Sequence, residues 1–171
     1  MIVEQSKQII AEVNKAFMGK KEITEKVLMT IYAGGHVLLE DCPGVGKTTL
    51  AVAFSKALGF SSKRIQFTPD TLPSDITGFT MFNRETNRFE YRNGAADCQF
   101  LLADEINRTS PKTQSALLEI MEEHKITVDG KTHDLPAPFI CIATQNPLGS
   151  AGTQPLPESQ LDRFMVCLSI G

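Results

Sequence analysis

Apolar positions along the chain switch between two spacings, and the switches mark the elements. Ile9, Ile10, Val13 and Phe17 recur every three or four residues. That spacing predicts a helix over residues 1–17, stopped by Gly19. Ile23, Val27, Leu28 and Ile31 repeat it over Glu22–Ala33, and Gly34-Gly35 ends the second helix. Apolar residues then become contiguous over His36–Glu40, which predicts a buried strand, and a helix follows that runs to Gly59. Arg64–Thr68 reads as a second strand. The turn-rich segment Pro69–Asp75 leads to a helical start near Ile76, and Gly78–Tyr91 to a hairpin. Gln99–Ala103 is a third buried strand that delivers Asp104-Glu105 at its end. Ser110-Pro111 opens a helix that reaches about His124, with Ala116, Leu117, Ile120 and Met121 inward. Ile126–Leu135 is a tight hairpin around Asp129-Gly130. A fourth strand over Phe139–Thr144, a loop over Gln145–Pro157, a short helix over Glu158–Arg163 and a fifth strand over Phe164–Ile170 complete the chain.

Five buried strands alternating with helices imply an α/β, three-layer αβα sandwich. Its five-stranded sheet is mostly parallel, with two β-hairpin insertions. In open sheets of this kind ligands sit beyond the carboxyl ends of the strands. Three chemistry-bearing segments follow strands at that edge: Asp41–Thr48, Asp104-Glu105 and Asn146.

The first of these, Cys42-Pro43-Gly44-Val45-Gly46-Lys47-Thr48-Thr49, lies between an apolar strand and a helix. That is the context a phosphate-binding loop needs. Glycines let backbone N–H groups approach an anion, and the helix adds the positive end of its dipole. The phosphate-binding candidates are Pro43, Gly44, Val45, Gly46, Lys47, Thr48 and Thr49. Lys47 is placed to reach the β- and γ-phosphates, and the Thr48 hydroxyl to hold Mg²⁺. The usual pattern begins with a glycine where this chain has Asp41, a carboxylate expected to point away from the phosphates. Asp104 is the second candidate metal ligand, acting through water because Mg²⁺ dehydrates reluctantly. Glu105 is the candidate general base, polarising the attacking water. Asn146 either orients that water or is simply the turn residue of Asn146-Pro147. Arg163 is either a surface ion-pair residue or an arginine finger given to a neighbouring subunit.

Composition narrows the partners. The chain has 171 residues, enough for one sizeable core, and 42% of them are apolar. Lys and Arg number 17 against 20 Asp and Glu, a net charge of −3, with no basic run. Nucleic acid is therefore disfavoured as the main partner. No stretch approaches the roughly 18 apolar residues of a membrane span. Cys42, Cys98, Cys141 and Cys167 are scattered, without metal or disulfide spacing. Cys98, Cys141 and Cys167 read as small buried thiols, and a reducing cytoplasm fits. His36, His124 and His133 show no metal spacing.

These motifs resemble the ATPase core of the MoxR family within the AAA+ superfamily. The resemblance rests on Gly34–Glu40, Pro43–Thr48, Ile65–Asp70, Leu72–Gly78, Leu101–Arg108, Ala143–Pro147 and Leu156–Phe164, and covers the chain from about Met18 onward. It implies a P-loop NTPase core that uses ATP and Mg²⁺, hydrolyses ATP, and self-associates into a ring, a hexamer in the full-length protein. It implies a protein client and a partner bearing a von Willebrand A domain. Phe79–Tyr91 becomes the insertion in helix 2, Ile126–Leu135 the hairpin before sensor 1, Asn146 sensor 1 and Arg163 the finger. Phe17, Met18 and Gly19 would lie near the adenine. Family members continue into a helical lid, so residues 1–171 read as the core domain without it. The segment Ala95–Gln99 is more polar than the family's usual run. Related ring ATPases with the same hairpins act on nucleic acid, and a nucleotide-gated interaction module with negligible turnover is a third possibility.

Overall fold

The structure, a computed structural model, describes residues 2–18, 21–40, 44, 46–146, 153 and 156–170. Its centre is a five-stranded sheet made of β1 (Val37–Glu40), β2 (Ser62–Gln66), β5 (Phe100–Asp104), β8 (Ile140–Gln145) and β9 (Val166–Leu168). The strands lie in the order β2-β5-β8-β1-β9. Every pairing in this sheet is parallel. Parallel strands need crossover connections, and here those carry the helices to both faces.

Strand alternation divides the core in two. Val37, Leu39, Phe100, Leu102, Ile140 and Ile142 face one side. That side is covered by α1 (Ile2–Ala16), α2 (Lys21–Tyr32) and α3 (Lys47–Leu58). Phe54 of α3 and Val27 of α2 are fully enclosed there. Leu38, Leu101, Ala103, Cys141 and Ala143 face the other side. There α4 (Pro73–Thr77) contributes Ile76, and α5 (Pro111–Glu123) contributes Leu117, Ile120 and Met121. Burial on both faces explains why β1, β5 and β8 read as continuous apolar runs in sequence.

The edges differ from the expected five buried strands. β2 spans Ser62–Gln66 rather than Arg64–Thr68, and it alternates between exposed and half-buried residues. β9 has only three residues, none fully buried. Each is a sheet edge with one neighbour, so its polar residues stay in water. Cys167 on β9 is accordingly exposed, against the expectation of a buried thiol, whereas Cys98 and Cys141 are buried. The last helix among the described residues, α6 (Glu158–Leu161), stops short of Arg163, which was expected within it.

Two hairpins leave this plan. β3 (Gly78–Asn83) pairs with β4 (Arg88–Asn93), and β6 (Lys125–Val128) with β7 (Lys131–Asp134). Asp129 and Gly130 both adopt positive φ, as a two-residue turn of the twist-matched kind requires. At the base of the first hairpin the backbones of Gly78 and Gly94 nearly touch. A Cβ on Gly94 would sit 2.2 Å from the Ile76 carbonyl oxygen. The hairpins meet where the Tyr91 ring stacks on His133, centroids 4.0 Å apart and planes 12° from parallel.

Behind the second hairpin His36 is buried. Its Nε2 donates to the Met121 carbonyl at 3.0 Å, and its Nδ1 accepts the Cys141 N–H at 3.0 Å. This pairing defines a neutral tautomer. Burial holds its pKa below the ordinary 6.5, helped by the nearby His124 and opposed by the bond to Met121. The unfolded chain therefore takes up a proton at higher pH than the native one. This contribution to stability is complete above pH 6.5 and is lost as pH falls through the lower native value. Chemical denaturation across this range should show stability falling on acidification, with a shallower slope in His36→Gln.

Candidate functional site

The sheet's register builds the site. β5 and β8 pair with Ala103 opposite Ala143, so the next residues, Asp104 and Thr144, stand side by side at the ends of their strands. β1 runs on the other side of β8, with Glu40 opposite Gln145. Gly44, Gly46 and the start of the following helix therefore meet Asp104 and Glu105 across the end of β8. A cavity of about 280 Å³ lies there, lined by Gly46, Lys47, Thr48, Asp104, Glu105 and Asn146 among others. Its size is near the lower end of small-molecule sites, roughly 300–1,000 Å³.

Gly44 and Gly46 take φ of 91° and 93°, conformations that side chains disfavour. Gly46 precedes the first turn of α3 and offers no side-chain cap, so the helix's leading N–H groups lie at the cavity. The Phe17 ring packs against Gly46, 3.3 Å from where a Cβ would be. Next to it Met18 is almost wholly exposed. Pro43, Val45 and Gly19, with Asp41 and Cys42, lie outside the described residues.

Lys47 is buried and extends to the end of β8, 3.3 Å from the Gln145 carbonyl and 3.4 Å from Asn146 Oδ1. Thr48 Oγ1 lies 3.3 Å from Asp104 Oδ2. Thr49 lines the same cavity. Asp104 is nearly enclosed, and its second oxygen accepts the Thr144 hydroxyl at 3.2 Å. In an uninterrupted strand neighbouring side chains point to opposite faces. Glu105 escapes that rule because its φ is 57°, a left-handed turn that brings both carboxylates to the cavity. Its N–H donates to Thr144 Oγ1 at 2.9 Å.

Each Glu105 oxygen has a donor. Arg108 Nη1 reaches Oε2 at 2.9 Å, and Asn146 Nδ2 reaches Oε1 at 3.1 Å. Burial pushes the Glu105 pKa up, but the bonds from Arg108 and Asn146 and the charges of Arg108 and Lys47 outweigh it, and the net shift is downward. Asn146 bridges Lys47 and Glu105 through one amide. Asn107, almost fully buried, donates from its side chain to the Asn146 carbonyl at 3.0 Å and so anchors Asn146.

The structure thus brings Lys47, Thr48, Thr49, Asp104, Glu105 and Asn146 together. It does not bring Arg163, whose guanidinium makes a two-pronged pair with Glu122 of α5 at 3.0 and 2.9 Å. Sequence reasoning missed four contributors: Arg64, whose Nε reaches Asp104 Oδ2 at 2.7 Å, and Thr144, Asn107 and Arg108. The last three stand within the quoted motifs, and a polar residue at the end of an apolar strand was the available signal. Among the described residues no group of three or more His, Cys, Asp or Glu side chains is placed to hold a metal. The hard oxygens of Thr48 and Asp104 do fit Mg²⁺, which keeps several waters and takes its remaining ligands from phosphates. No helix among the described residues is long and apolar enough to cross a membrane.

Comparison with known proteins shows the family. Residues 36–166 match the model of the ATPase family associated with various cellular activities. The chain is 56% identical to the Bacillus subtilis protein YeaC, described as uncharacterised, across 95% of this chain and 51% of that protein. It is 42% identical to chaperone MoxR1 of Mycobacterium tuberculosis, across 99% of this chain and 45% of that protein. A crystal structure from Cytophaga hutchinsonii, assigned as a candidate ATPase, superposes with a TM-score of 0.86 at 43% identity. It covers 98% of this chain and 51% of the other. The chain therefore spans about half the length of these relatives.

The Glu105 contacts are open to a direct check. Arg108→Met removes both a hydrogen bond and a charge, so the Glu105 carboxyl should titrate at higher pH than in the wild type. Carbon-13 NMR of the labelled carboxyl reads this, and an unmoved titration would remove Arg108 from the account.

Proposed function

This chain belongs to the MoxR family of AAA+ ATPases, and on that premise we propose that it binds ATP with Mg²⁺ and hydrolyses the terminal phosphate. The work it drives is chaperone-like remodelling of a protein client within a ring of subunits. The observation that carries the reading is the convergence of Lys47, Thr48, Asp104, Glu105 and Asn146, from three separate strand ends, on one cavity.

Each residue has a part that follows from its position. The α3 N–H groups and Lys47 cradle the phosphates and neutralise their charge. Thr48 and Asp104 would hold a metal ion, which when bound would supply positive charge against the negative charge that develops on the phosphates. Glu105 is ionised at neutral pH and accepts a hydrogen bond from the attacking water. As the water oxygen bonds to the γ-phosphorus, the bond to the β–γ bridging oxygen breaks, and the water's proton passes toward Glu105. Asn146 fixes the Glu105 carboxylate and keeps Lys47 beside it, so both charges stand in one orientation when the phosphate arrives. Phe17, packed on Gly46, supports the base of the loop next to Met18.

Arg163 faces away from its own cavity and is held, half-exposed, by Glu122. That placement suits a finger offered to the adjoining subunit, and MoxR1, the relative described as a chaperone, supports the remodelling role. Ring assembly and client belong to the whole protein, of which relatives show about twice this length.

Two measurements test the reading. Lys47→Ala should weaken MgATP binding roughly a hundredfold or more, because it removes charge-assisted contacts to phosphate. Unchanged binding by calorimetry would overturn the site. ATP turnover per subunit should rise with protein concentration, and Arg163→Ala should lower it by roughly 10³. Turnover that is independent of concentration and of Arg163 would remove the finger.

A further inference from the structure

Asp104 carries a cation of the protein's own. Arg64 comes from β2, the edge strand beside β5, where it pairs in register with Leu102. Its side chain rises along the face covered by α3 toward the strand end, where Asp104 pairs with Gln66. There Nε meets Asp104 Oδ2 at 2.7 Å, the length of a charge-assisted bond. Thr48 Oγ1 approaches the same oxygen at 3.3 Å. The Asp104 side chain is 5% exposed and that of Arg64 55%. The carboxylate is thus sealed, while the guanidinium remains free to leave into the cavity that it lines.

From this geometry we propose that Arg64 is the resident counter-cation of Asp104: it suppresses binding of a bare divalent metal and gives way when the metal arrives with a polyphosphate. This deepens the MgATP reading above and rests on it. A guanidinium and a metal ion draw on the same carboxylate charge and repel each other across a few ångströms. Lys47 adds a second positive charge to the cavity. A lone divalent ion therefore meets two cations, with Asp104 already engaged by Arg64 and Glu105 by Arg108. A metal–nucleotide complex reverses that balance, since its phosphates attract Lys47 and offer the displaced guanidinium new acceptors. The expected consequence is an order of binding in which the metal enters as the nucleotide complex. Arg64 acts here as a positioning residue, through Asp104 rather than on the reacting atoms.

Manganese binding without nucleotide, read by the loss of the free-ion electron paramagnetic resonance signal, tests this on the whole chain. Arg64→Gln should bind Mn²⁺ roughly tenfold or more tightly than the wild type, given the size of charge repulsion at this range. Asp104→Asn and the double variant should bind none at this site, and Arg64→Lys, which keeps the charge, should stay near the wild type. Equal or weaker binding by Arg64→Gln overturns the proposal, as does a double variant that binds as tightly as Arg64→Gln. A readout on the wild type covers poor folding of that variant. The Arg64 Nε–H resonance should exchange faster with solvent as MgADP is added, and unchanged exchange at saturation overturns the proposal. MgATP binding by the wild type, measured in parallel, separates the two ideas. Its absence would sink the ATPase reading, whereas its presence with unchanged Mn²⁺ affinity in Arg64→Gln sinks only the role of Arg64.

Discussion

The parallel pairing of β5 with β8 sets almost everything at the cavity. With Ala103 beside Ala143, Asp104 must emerge next to Thr144, and Asn146 within reach of Glu105. A slip of one residue in β5 would turn Asp104 to the face opposite Thr144, because side chains alternate along a strand. The register is held by burial rather than by polar contacts: Phe100, Leu102, Ile140 and Ile142 pack into one core, and Leu101, Ala103, Cys141 and Ala143 into the other. Hydrophobic burial on two faces thus determines where charged groups meet, at a strand edge where they can still reach water.

At that edge charge is balanced locally. Asp104 faces Arg64, Glu105 faces Arg108, and Lys47 stands beside Asn146. Isolated carboxylates this close together would repel, and one would hold its proton into the neutral range. Cationic neighbours keep Glu105 ionised instead. The same pairs leave the cavity with little net charge of its own among the described residues, so a ligand that brings both phosphate and metal meets partners of both signs.

Much of this was legible in the chain. Three buried strands ended in glycine-rich, acidic or amide segments, and those ends converge as the alternation of strands and helices requires. The Ser110-Pro111 helix start and the Asp129-Gly130 turn were local signals, and both stand in the structure. Arg64 was not legible, because its importance depends on which strand lies beside β2, a long-range fact. The edge strands were misread for a related reason. Ser62-Lys63 looks too polar for a strand, and Cys167 looks apolar enough to be buried, yet each strand has only one neighbour. The left-handed turn at Glu105 was also hidden, since a glutamate at positive φ carries no compositional mark.

The Tyr91–His133 stack has a mechanical character that its distance alone does not convey. Two flat rings in face contact resist being pulled apart but slide over each other with little cost, since the contact itself has no directional hydrogen bond to break. The ring contact is therefore like a bearing surface: it holds the two faces together without fixing their position along the plane. Tyr91 is pinned at its far end, where its hydroxyl donates to the Thr77 carbonyl, so its ring is the fixed plate and His133 the moving one. The second hairpin thus rests one flat contact on Tyr91, beside its contacts with β3, α4 and α5.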